Sequence, residues 1–293
     1  MFVQSSYQGA KIDKGELYLV CTPIGNLGDM SSRAVEILKM VDLIAAEDTR
    51  HTRKLLAHFQ FEAKLVSHHE HNKEASIKGL IELLESGKKV ALVSDAGMPA
   101  ISDPGYELVR EAVEMEISVI PIPGPNAALS ALIASGLPTG KFFFLGFLPR
   151  EKKQLREELE RLKPYPETLI LYEAPHRIDK MLKEAKEILG NRRAVLAREL
   201  TKKHEEFIRG TLEEVINYLD EGGIRGEFTI LIEGNLEPDL GQTAAGSWWN
   251  HLSSIEHVDK YIAEGMSSKE AIKKVAEDRK VPKREIYNQY HGE

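Results

Sequence analysis

The chain has 293 residues, 42% hydrophobic and 29% charged, with a net charge of −7. That length suits two domains with a small third, and the composition suits a soluble globular protein with a real core. The single cysteine, Cys21, excludes an intrachain disulfide framework and a cysteine zinc site. No run approaches the roughly 18 apolar residues of a membrane span, and residues 1–16 show no basic-then-apolar leader pattern. No membrane association and a cytoplasmic location are therefore expected. An acidic balance argues mildly against nucleic acid, but residues 267–290 carry seven Lys/Arg against four Asp/Glu, a basic end hidden by the overall sum.

In chain order, residues 17–20 form an apolar run that reads as a buried strand ending in a loop at Thr22-Pro23-Ile24-Gly25-Asn26. Ser31 and Ser32 are candidate N-caps for a helix with Ala34, Val35, Ile37, Leu38 and Val41 on one face. Strands are expected at 43–46, 65–67, 90–93 and 119–122, with a helix near 74–85. Short, nearly all-apolar strands alternating with helices predict a parallel sheet covered on both faces. From 142 the pattern changes. Strands are expected at 142–147, 168–172, 194–197, 206–209 and 228–232, with helices at 151–162, 178–189 and 212–219. This is a second α/β lobe with a mixed sheet, joined to the first near 121–126. The aromatic run Phe142, Phe143, Phe144 and Phe147 reads as core. Residues 236–246 read as a linker. The remainder reads as helical, with a capping-box pattern at Ser267-Ser268-Lys269-Glu270 and a break at Val281-Pro282-Lys283. The expected divisions are 15–122, 123–235 and a small helical domain at 247–293. The last reads equally as a nucleic-acid-binding unit or as a packing appendage.

In open parallel sheets, ligands bind beyond the carboxyl ends of the strands. The first-strand loop lacks both the G-x-G-x-x-G dinucleotide pattern and the P-loop, which disfavours a classical NAD or ATP site. Gly25 and Gly28 would allow close backbone approach. The fourth strand ends in Ser94-Asp95-Ala96-Gly97-Met98-Pro99-Ala100-Ile101-Ser102-Asp103-Pro104-Gly105, a loop whose small side chains leave room for a polar ligand. The fifth ends in Pro123-Gly124-Pro125-Asn126-Ala127, a stiff turn suited to a cleft wall.

These three loops resemble those of the tetrapyrrole-methylase superfamily. Ala46-Glu47-Asp48-Thr49-Arg50, Tyr172-Glu173-Ala174-Pro175-His176-Arg177 and Ala197-Arg198-Glu199-Leu200-Thr201-Lys202 resemble the bacterial branch that methylates 16S ribosomal RNA on a cytidine 2′-oxygen. The resemblance implies S-adenosylmethionine (SAM) as cofactor, bound between the lobes. The SAM contacts it implies are Ser94, Asp95, Ala96, Gly97, Met98, Ile101, Ser102, Asp103, Pro123, Gly124, Asn126 and Ala127, with Tyr172, Phe228 and Thr229 closing over the adenosine. It also implies a homodimer, and 16S rRNA within the small ribosomal subunit as partner.

Methyl transfer from a sulfonium is an in-line displacement, and a ribose hydroxyl is a poor nucleophile that benefits from deprotonation or polarisation. Lys202, Glu199 and Glu173 are the candidate catalytic residues. Gly25, Asn26, Arg50, His176, Arg177 and Arg198 are the candidate RNA contacts. A solvated surface charge or a lobe–lobe ion pair is the competing reading for each charged residue. His68-His69-Glu70-His71 suggests a metal, but adjacent residues on an extended segment face opposite sides, so no metal is expected. Two rivals stay open: a small-molecule tetrapyrrole methylase of the same fold, and a non-catalytic ribosome-assembly protein that binds RNA.

Overall fold

The computed structural model describes residues 2–4, 14–222, 224–236, 248–249, 252–279 and 281–291. The 236–246 linker therefore lies outside the described residues beyond Leu236, as does Lys280 in the basic end. Residues 1–236 form one compact unit, and 237–293 form another.

The first sheet holds β1 (Glu16–Val20), β2 (Leu43–Ala46), β3 (Leu65–Ser67), β4 (Val90–Val93) and β5 (Ser118–Ile122), in the order β3-β2-β4-β1-β5, with every pairing parallel. Its helices are α1 (Ser32–Met40), α2 (Thr49–His58), α3 (Lys73–Glu85) and α4 (Tyr106–Glu114). Alternate strand residues feed two cores. Val20, Ile44, Ala91 and Val93 pack with Ala34, Leu38 and Leu56 from α1 and α2. Leu17, Ala45, Val90 and Leu92 pack with Leu80, Leu84, Leu108 and Ala112 from α3 and α4. Burial on both faces explains why these strands read as unbroken apolar runs. Ser31 caps α1 as expected, its hydroxyl accepting the Ala34 N–H at 3.1 Å.

The second sheet holds β6 (Phe142–Phe147), β7 (Thr168–Glu173), β8 (Arg193–Arg198), β9 (Glu206–Thr211) and β10 (Phe228–Ile232), in the order β6-β7-β10-β8-β9. Only the β6–β7 pairing is parallel, so the sheet is mixed as expected. The helices α6 (Lys152–Leu162), α7 (Pro175–Leu189) and α8 (Leu212–Gly222) cover one face. The other face packs on α5 (Ala127–Ser135), which also receives Ile24 from the first lobe. The Asn126 side chain caps α5 by accepting the Leu129 N–H at 2.8 Å.

The aromatic run is a correction. Phe142, Phe143 and Phe147 are 39%, 38% and 56% exposed. β6 is an edge strand, and its register against β7 shifts between Phe144 and Gly146. An apolar run alone does not distinguish a covered central strand from an edge. Phe144 and Phe147 instead set their rings edge-on to Tyr172, 5.1 and 5.8 Å between centroids.

The second unit contains α9 (Ser254–Ala263), α10 (Ser268–Arg279) and α11 (Lys283–His291), packed around Val258, Ala271, Ile272, Val275 and Ile286. Ser253 and Glu256 form a reciprocal capping box on α9, and Ser267 with Glu270 repeats the motif at α10. Part of the basic end is neutralised locally. Lys273 lies 3.7 Å from Glu277, Lys274 lies 3.4 Å from Asp278, and Arg279 donates inward to His257 Nδ1 and to the Leu252 carbonyl.

His257 is fully buried, stacked on Trp249 at 4.9 Å, and beside the Arg279 cation. Burial, then the Arg279 charge, pulls its pKa down to about 4. Because the folded value lies below the ordinary 6.5, the unfolded state binds the extra proton. Stability of this unit is therefore complete above about pH 6.5 and declines as pH falls toward about 4, by on the order of 2 kcal/mol. The chain's two tryptophans, Trp248 and Trp249, both contact His257. Tryptophan fluorescence during urea unfolding of the full chain should show this pH slope, and His257→Gln should flatten it.

Candidate active site

The strand order places the loops after β1 and β4 side by side, and two backbone hydrogen bonds join them. Thr22 N–H donates to the Gly97 carbonyl at 2.9 Å, and Gly97 N–H donates back to Thr22 at 3.0 Å. The Thr22 hydroxyl adds a bond to the Ser94 carbonyl at 3.1 Å. Gly97 holds φ +85°, and a Cβ there would meet Ile24 at 3.4 Å. A side chain at this position would be strained by the left-handed backbone angle.

Beside this bridge lies a cavity of about 450 Å³. The first lobe lines it with Ala96, Gly97, Ile101, Ser102 and Asp103, and the second with Ala127, Tyr172, Phe228 and Thr229, all expected cofactor contacts. Glu173, expected to be catalytic, also reaches it. Ile24, Phe147, Ala174, Pro175, Ala197 and Leu200 complete the wall without having been anticipated, and Glu227, beside Phe228, also lines it. Their signal was present but indirect: Ala174, Pro175, Ala197 and Leu200 belong to the quoted motifs, and Phe147 ends an apolar strand. Met98, Pro123, Gly124 and Asn126 do not line the cavity. Asn126 caps α5 and donates to Met98 Sδ at 3.1 Å, while a Cβ on Gly124 would lie 2.8 Å from that of Cys21. These residues fix the loops that the cavity rests on.

A second cavity, about 370 Å³, lies across the same loops. Ser94 and Asp95 face it rather than the first, together with Thr22, Gly25, Leu27, His51 and Lys54. Asp95 is its acidic lining residue. Glu47 accepts the Asp95 N–H at 3.3 Å, and its pKa is raised by burial and by the Asp95 charge, partly offset by that hydrogen bond. In the wall of the larger cavity, the Asp103 carboxyl is pushed up to about 7, first by burial and then by the Glu47 charge, with a Ser94 hydrogen bond opposing. Among the described residues, Asp103 has no cationic partner within ion-pairing distance.

Lys202 and Glu199 come together as expected. Lys202 Nζ lies 2.9 Å from Glu199 and 2.8 Å from Glu227. Burial works against its charge, but the two carboxylates outweigh burial and hold its pKa above the usual value. Glu199 is held low by the Glu227 N–H and then by Lys202. Lys202 is thus a fixed cation and not a proton acceptor. Glu173 sits apart from this pair. It is buried, takes the Ala174 N–H at 2.9 Å and lies 3.2 Å from Arg177.

The expected RNA contacts divide. Arg177 donates to the Leu148 and Pro149 carbonyls at 3.1 and 3.2 Å and is largely buried, so it ties α7 to the end of β6 rather than reaching outward. Arg198 pairs with Glu206 at 3.3 Å. Arg50 is 81% exposed, held against Asp48 at the start of α2. His176 is exposed on the first turn of α7. Gly25 and Asn26 border the second lobe, where Asn26 N–H donates to Thr201 Oγ1 at 3.1 Å. In the His68–His71 run, His68 turns inward to Ser76, 3.0 Å away. Among the described residues, no group of three or more potential ligands is placed to hold a metal.

A cavity at the carboxyl ends of parallel strands, closed by a mixed-sheet lobe and paired with a polar neighbour, is the ligand site of an α/β protein. The family profile described as "Tetrapyrrole (Corrin/Porphyrin) Methylases" matches residues 16–216, and the chain belongs to that family. It is 59% identical over 293 residues to "Ribosomal RNA small subunit methyltransferase I" of Halalkalibacterium halodurans, covering 100% of both chains. It is 56% identical over 288 residues to the Bacillus subtilis protein of that name, covering 98% of both. Among solved structures it resembles the Thermus thermophilus uroporphyrin-III C-methyltransferase complexed with S-adenyl homocysteine, with TM-score 0.51 and 22% identity over 74% of this chain and 97% of that one. It also resembles diphthine synthase, with TM-score 0.58 and 16% identity over 75% and 90%. The structural likenesses establish the fold.

Gly25 shows how closely the lobes meet: a Cβ there would overlap Lys202 Cγ and lie 2.9 Å from Thr201 Oγ1. Gly25→Ala should therefore displace the Lys202 loop. Turnover should fall by about tenfold or more, because small misplacements are costly in a positioned reaction. The melting temperature should move little, since Gly25 lies in an exposed loop. Steady-state kinetics beside a thermal scan would check this.

Proposed function

We propose that this chain transfers the methyl group of SAM to 16S ribosomal RNA in the small subunit, on the ribose 2′-oxygen of a cytidine, and that it acts as a cytoplasmic homodimer. The end-to-end match to relatives named for small-subunit rRNA methylation carries the reading. The same match favours RNA over a tetrapyrrole acceptor, because the tetrapyrrole enzymes share only about a fifth of their residues with this chain.

The larger cavity fits the donor. Its volume falls within the roughly 300–1,000 Å³ of small-ligand sites. Small residues at Ala96, Gly97, Ala127 and Ala197 leave room for a flat heterocycle between apolar walls at Ile24, Leu200 and Phe228. Asp103 supplies an uncompensated carboxyl suited to a cationic group. When bound, SAM supplies an electrophilic methyl group on a positively charged sulfur. The chain's own residues orient and exclude water. Tyr172 and Phe147 close one side, while Lys202, held by Glu199, presents a fixed positive charge at the Gly25 loop. Glu173, through Arg177, fixes the first turn of α7 at the cavity rim. Arg50 and His176 lie on outer surfaces available to RNA phosphates, while Arg198 is held by Glu206. The exposed aromatic edge of β6, together with Ile133 on α5 at 79% exposure, supports a second copy covering this lobe.

The direct test supplies labelled SAM to small subunits lacking the modification, with free rRNA and a tetrapyrrole precursor in parallel. Label at a ribose 2′-oxygen is expected, and label only in the small molecule would remove RNA as substrate. A second expectation concerns protons. Near pH 7 Asp103 is about half protonated, and a bound cation would lower its pKa. SAM binding should therefore release a fraction of a proton, visible as a buffer-dependent enthalpy in calorimetry. Asp103→Asn should abolish that release.

A further inference from the structure

We infer that His51, oriented by Asp95, is the general base that takes the proton from the acceptor hydroxyl. The inference rests on the proposed methylation of a ribose oxygen. His51 stands on the first turn of α2, and its ring is 60% exposed in the smaller cavity. Its Nδ1 lies 3.2 Å from Asp95 Oδ2. Asp95 is itself fixed. Its Oδ1 accepts the Asp48 N–H at 3.1 Å, and its own N–H donates to Glu47. A carboxylate can only accept, so this pairing places the imidazole proton on Nδ1 and leaves Nε2 as a free acceptor. The arrangement is that of a base held by a third group.

The position suits the reaction. Consecutive residues line the two cavities: Ile24 and Ala96 face the larger, Gly25 and Asp95 the smaller. The same two loops thus border both cavities, and an acceptor nucleotide seated beside His51 lies along the rim past which its hydroxyl reaches the methyl group. Lys202 cannot fill the role, because two carboxylates hold it protonated. In the step, the hydroxyl oxygen forms a bond to the methyl carbon as the carbon–sulfur bond breaks and its electron pair stays on sulfur. The hydroxyl proton moves to His51 Nε2, and Asp95 stabilises the imidazolium until water removes the proton.

The test compares wild type, His51→Ala and Asp95→Asn in single-turnover transfer to small subunits, with SAM binding measured by calorimetry. His51→Ala should lose about 100-fold or more in kcat while KM for the subunit and SAM affinity stay within about threefold. Added imidazole should restore part of the rate, and Asp95→Asn should give an intermediate loss. A kcat within about threefold of wild type, or a loss confined to KM, would overturn the assignment and make His51 an RNA contact. Wild-type protein that binds SAM but labels no RNA would overturn the parent reading instead.

Discussion

The site depends on one short piece of backbone pairing. The two hydrogen bonds between Thr22 and Gly97 tie the loops after β1 and β4 into a single ridge. A parallel sheet with the order β3-β2-β4-β1-β5 puts those loops next to each other, but adjacency alone would leave them free to drift. The bridge fixes their separation, and Gly97 keeps side-chain bulk away from it. The larger cavity and its polar neighbour then share one rigid border built from main chain. This is economical for a displacement that needs two reactants aligned and little else from the protein.

Charge is distributed unequally around that border. On the first lobe, Glu47, Asp95 and Asp103 converge, and burial together with mutual repulsion raises Glu47 and Asp103. On the second lobe, Lys202 is clamped by Glu199 and Glu227. The acidic side suits a positively charged donor, while on the second lobe two carboxylates neutralise the one Lys202 cation.

Most of the framework was legible in the sequence because buried parallel strands are unbroken apolar runs and their loops carry Gly, Pro and small residues. Every expected strand is present, and the two-lobe division follows from the change of pattern near residue 142. What could not be read was which side of each loop faces which space. Ser94 and Asp95 directly precede Ala96 and Gly97 yet line a different cavity. Arg177 sits in a motif full of polar candidates yet spends its guanidinium on two carbonyls. His51, directly after Glu47-Asp48-Thr49-Arg50, carries no periodic signal, and its partner Asp95 is 44 positions away. The aromatic run misled for a related reason: hydrophobicity announces burial, but only sheet order says which strand lies at the edge.

The backbone of the site is wound against its preference. Ala100, Ser102, Glu199 and Thr201 all hold positive φ, at 67°, 61°, 50° and 65°. Each such residue costs on the order of 1 kcal/mol or more that neighbouring contacts must offset. Evolution could have relaxed all four by installing glycine, and an engineer seeking a hardier protein would be tempted to do so. Glycine, however, would also loosen the loops in the unfolded and open states alike. Non-glycine residues at these angles narrow the alternatives each loop can visit, so rigidity at the cleft is obtained at the expense of global stability. Thermal hardening of this chain is therefore better sought in the outer helices than at its ligand-facing turns.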